Sequence, residues 1–121
     1  MTKEHSRKEL ERLYEEFRRL SFPPAHGGEE ISRLHDELIL YDADVAAAVM
    51  AVLEAPKSDS SLRKLTGLQE NDELQRLIDR SITTFPEKTR VGEVAREYKY
   101  YYDSIKKMLQ AAHSYLDASA E

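Results

Sequence analysis

Two side chains able to do chemistry share one stretch of this chain, EISRLHDELILYDADVAAAVMAVLE, residues 30–54. His35 can exchange a proton near neutral pH, and Asp42 supplies a carboxylate. A polar pair facing a cleft between helices could bind a small anion or serve as acid and base. Seven residues along a helix is about 10 Å, too far for the two groups to bond each other directly. The structural alternative is that each is partly buried and paired with Arg, Lys or Tyr from the first or last helix.

Other chemistry finds little footing. The chain has no cysteine, which excludes a disulfide framework, a thiolate zinc site and a cysteine nucleophile. None of the four histidines has a glutamate three residues before it, so the inward Glu-x-x-His motif of carboxylate di-iron bundles is missing. There is no HExxH, EF-hand loop, P-loop, Gly-x-Gly-x-x-Gly or Gly-x-Ser-x-Gly. The expectation is a protein without catalytic activity, cofactor or metal. One basic and aromatic edge, Lys99-Tyr100-Tyr101-Tyr102, suits base stacking with phosphate contacts, making nucleic acid a third reading. Tyr98 and Tyr102 belong to an apolar stripe there, which leaves Tyr100, and Tyr101 at the stripe's flank, for such contacts.

The elements that must position these residues are helices. Ile31, Leu34, Leu38, Tyr41, Val45, Ala48 and Val52 recur at steps of three and four, forming one apolar stripe on residues 30–54. Ile39, Ala43, Ala46, Met50 and Leu53 form a second, roughly 130° round the helix at about 100° per residue. His35 and Asp42 project into the narrow gap between them, beside Val49. Two apolar faces call for neighbours on both sides, so the other helices are expected to pack round this one. Leu40, Ala47 and Ala51 fall on the outer arc among charged residues. Together with Tyr100 they would be exposed apolar residues, candidates for a protein interface or self-association. Were a second copy to cover the arc, this helix would be buried nearly all round, and a homodimer is as open as a monomer.

A first helix is expected over 6–20, with Ser6 and Glu9 as a capping box. SFPPAHGG, residues 21–28, breaks the chain, with Phe22 free to tuck against the core. Ala55–Pro56 ends the central helix. A broken third region follows over 60–67 and 72–84, closed at Gly67 and restarted with Asn71 as N-cap. The last helix is expected over 88–116, opened either by a capping box of Thr84 and Glu87 or at Thr89, with a frayed tail after Asp117.

The 121 residues suffice for one domain. A 34% charged content, with acids and bases interspersed and a net charge of −5, provides no basic field to favour nucleic acid. The N-terminus lacks a signal-peptide apolar run, and residues 43–53 are too short to span a bilayer, so a cytoplasmic location is expected. The resulting picture is an all-α, four- to five-helix up-and-down bundle packed round the helix at 30–54, acting through protein contacts.

Overall fold

A computed structural model describes residues 2–25, 28–57 and 59–119. Expectations at His26, Gly27 and Ser58 lie outside the described residues. The fold is an all-α bundle of five helices: α1 Lys3–Arg18, α2 Glu29–Glu54, α3 Asp59–Glu70, α4 Glu73–Thr84 and α5 Arg90–Ser119. Buried side chains from all five join one hydrophobic cluster.

The helix starts differ from the sequence reading in instructive ways. Ser6 does not cap α1; it lies one turn inside the helix and is buried. Thr2 does the capping, its hydroxyl accepting from the His5 amide at 3.2 Å. Gly67 does not close α3, which runs on to Glu70. Asn71 is not the N-cap of α4, which is Asp72; it stands one residue earlier, where its Oδ1 accepts from Glu73 N at 3.2 Å. Of the two openings considered for the last helix, Thr89 is used: its Oγ1 accepts from Gly92 N at 3.1 Å. At its other end α5 continues through Ser119, which is buried, so the expected fraying after Asp117 is not seen.

The largest difference concerns which helix is surrounded. α2 packs against α3, α4 and α5, and its first stripe from Ile31 to Val52 is buried throughout. α1 packs on α5, so α5 is the helix that touches all four others. Because α1 is spent on α5, no helix lies across the second stripe of α2. Ile39 and Met50 are 45% and 43% exposed, Ala43 is exposed and Ala46 half-buried. Only Leu53, at the C-terminal end, packs against the core.

Candidate functional site

The gap between the stripes is closed by aromatic rings. Phe22, from the loop after α1, stands edge-on to both His35 and Tyr101, with centroids 5.2 Å away in each case. Phe17 approaches Tyr101 from α1 at 5.0 Å. The Tyr101 hydroxyl donates to Asp42 Oδ2 at 3.2 Å. Burial pushes the Asp42 carboxyl above its usual range, and the tyrosine's donation pulls part of the way back. Burial, then the neighbouring carboxylate, pushes the Tyr101 hydroxyl up, so the shared proton stays on tyrosine. His35 bonds neither; its nearest acid is exposed Asp36, with Nδ1 to Oδ1 at 4.0 Å. Of this cluster, Phe22 and Tyr101 line one surface groove and Phe17 another, whereas His35 and Asp42 line none of the five best-formed grooves. Asp42 thus has a tyrosine partner from the last helix, and His35 an aromatic neighbour from a loop.

Two cationic side chains hold helix ends. Lys106 donates to the carbonyl of Gln69 at 3.3 Å and lies 5.3 Å from the Tyr102 ring centroid, while Tyr41 donates to the carbonyl of Leu68 at 3.0 Å. Both bonds satisfy carbonyls that the last turn of α3 leaves unpaired. Burial lowers the Lys106 ammonium and raises the Tyr41 and Tyr102 hydroxyls. At the other end of the bundle, Arg7 of α1 donates to the carbonyl of Leu53 at 3.0 Å and to the Tyr115 hydroxyl at 2.9 Å. These long-range bonds have no signature in local spacing.

The basic and aromatic edge of α5 turns mostly inward. Tyr98 donates to the Pro24 carbonyl at 2.8 Å and holds the loop down; burial pushes its hydroxyl up to about 12. Tyr101, which its place at the stripe's flank left for such contacts, is buried together with Tyr102. Lys99 pairs with Asp103 at 3.8 Å. Tyr100 alone is open, at 67% exposure. It lines two grooves of α5, one against α1 and one against residues 20–24, neither of which includes a residue of α2.

The outer residues of α2 are arranged differently. Leu40 is 66% exposed and Ala47 is exposed, whereas Ala51 is half-buried and its carbonyl accepts from Ser61 Oγ at 3.3 Å. Leu40 and Ala47 adjoin the uncovered second stripe, so Ile39, Leu40, Ala43, Ala46, Ala47 and Met50 make one apolar face without a charged residue. Over residues 39–50 it is roughly 17 Å long at about 1.5 Å per residue. A groove of about 360 Å³ against α3, lined by Asp44, Ala47, Arg63 and Lys64 among others, borders it. Ile39, Ala43, Ala46 and Met50 are the residues that sequence reasoning misplaced. Their spacing predicted a second core stripe, and the structure leaves that stripe uncovered.

Among the described residues there is no group of three or more His, Cys, Asp or Glu that could hold a metal ion, and no helix long and apolar enough to cross a membrane. Comparison with protein-family models, curated proteins and solved structures found no match.

Proposed function

We propose that this is a non-enzymatic protein-interaction or regulatory protein of the cytoplasm, docking a protein partner on the exposed face of α2. The observation that carries the reading is the uncovered stripe of Ile39, Ala43, Ala46 and Met50, flanked by Leu40 and Ala47. Singly exposed apolar residues are ordinary, but a charge-free face along three turns of a helix is the kind of patch that partners cover. The face is helical and rich in alanine, which suits close approach of another helix. The alternatives draw less support. His35 and Asp42 line none of the five grooves, and the Lys99-to-Tyr102 edge offers one free ring.

A photoreactive amino acid placed at Ala47 and, in a separate variant, at Gln110 on α5 tests this in cells. The reading predicts a protein adduct of defined mass from position 47 and none from position 110. No adduct at position 47, or equal yields at both, would overturn it.

A further inference from the structure

The geometry points to Met50 as an oxidation switch on the docking face of α2, a thioether that peroxide converts to a sulfoxide and so closes the face to its partner. This inference rests on the docking reading above and concerns how that face is regulated.

The chain has three methionines and no cysteine, so its oxidisable sulfur is thioether sulfur alone. Met1 lies outside the described residues. The other two sit in opposite surroundings. Met108, on α5, is fully buried in the hydrophobic cluster, whereas Met50 is 43% exposed. A buried thioether meets peroxide only when the fold opens, and an exposed one meets it directly. Position on the face makes that exposure consequential. The large apolar side chains of the face are Ile39 and Leu40 at one end and Met50 at the other, with Ala43, Ala46 and Ala47 between them. Met50 is thus the one large apolar side chain in the C-terminal half of the face.

The step needs one oxidant, a peroxide. With hydrogen peroxide, the Met50 sulfur attacks one oxygen, and the S–O bond forms as the O–O bond breaks. The second oxygen leaves as water after taking the proton carried by the first. Sulfur is oxidised by two electrons and the peroxide is reduced by two. The product is a polar sulfoxide on an otherwise charge-free surface. Its oxygen is solvated while the face is open, so the fold itself loses nothing. A partner that covers the face strips that water away, and neighbouring Ala46 and Ala47 have no side-chain donor to replace it. Enzymatic reduction of the sulfoxide restores the thioether, which makes the change reversible.

Peptide mass spectrometry of the purified protein treated with hydrogen peroxide tests the chemistry. Met50 should gain an oxygen at least roughly tenfold faster than Met108, and the thermal midpoint should stay unchanged while Met50 alone is oxidised. The photoreactive residue at position 47 tests the consequence in cells, with and without hydrogen peroxide. The adduct should fall roughly tenfold on peroxide treatment in the chain that retains Met50. A Met50→Leu companion keeps an apolar side chain of similar size without sulfur, and it should form the same adduct and hold it under peroxide. Equal oxidation rates at Met50 and Met108, an adduct insensitive to peroxide, or an adduct lost equally from the Met50→Leu chain would overturn the switch and leave the docking face standing. No adduct before peroxide is added would overturn the docking face itself, and the switch with it.

Discussion

α2 carries two stripes of the same period and similar apolar content, and they have opposite fates. The first, from Ile31 to Val52, is sealed beneath α3, α4 and α5. The second, from Ile39 to Met50, lies in solvent. Hydrophobic periodicity shows that a face wants a neighbour; it does not say which element supplies one. Here the candidate neighbour, α1, has a single apolar stripe, and α5 takes it. Phe17 reaches Tyr101 and Leu10 is fully buried, which leaves α1 nothing with which to cover α2.

The contrast is sharpest at adjacent residues. Leu38→Ala should destabilise the fold by about 2–5 kcal/mol by leaving a cavity, while Ile39→Ala should stay within about 0.5 kcal/mol. Thermal and urea unfolding check both, and comparable losses would mean that the second stripe is packed after all. Gly92→Ala probes how α5 is held under the packed side. A methyl group there would run into the Pro86 carbonyl, which also accepts from the Thr89 amide at 3.0 Å. Alanine usually improves a helix by up to ~1 kcal/mol, but this backbone contact should reverse the sign to a loss of about 1–3 kcal/mol. A stabilised Gly92→Ala variant in the same unfolding assay would show that α5 begins differently.

Smaller effects belong to the gap between the stripes. Asp42→Ala should cost on the order of 1–3 kcal/mol by stranding the buried Tyr101 hydroxyl; a thermal midpoint within error of native would contradict that bond. Asp42→Asn keeps an acceptor for Tyr101 and removes the charge. Because burial raises the Asp42 pKa above its ordinary 3.8, the folded chain holds a proton that the unfolded chain has already released. Asp42's contribution is therefore most favourable at low pH and declines as pH rises through the raised value. The difference in thermal midpoint between the native protein and Asp42→Asn should therefore shift against the native protein as pH rises through that raised value.

Much of the architecture could be read from spacing. The buried first stripe of α2, the proline breaks and the opening of α5 at Thr89 all act within a few residues, and each left its pattern in the chain. What spacing could not show is long-range. Arg7 on Leu53, Lys106 on Gln69 and Tyr98 on Pro24 are bonds between segments far apart in sequence. Ser6 illustrates a local failure of another kind: a good capping pattern lost to Thr2, one turn earlier, because the helix gains length by starting sooner. In the candidate site, the gap around His35 and Asp42, a tyrosine partner from the last helix and the inward turn of Phe22 were all legible, but the edge-on contacts of Phe22 with His35 and Tyr101 were not. The second stripe was legible as an apolar face of α2, and its exposure was not.

Carbene footprinting of the native protein measures the difference between the two stripes most directly. Leu62 and Tyr100, exposed elsewhere, serve as internal standards. Ile39 and Met50 are expected to label as these standards do, while Leu38 and Val49 beside them stay unlabelled. Equal labelling of Leu38 and Ile39 would contradict the opposite fates of the two stripes.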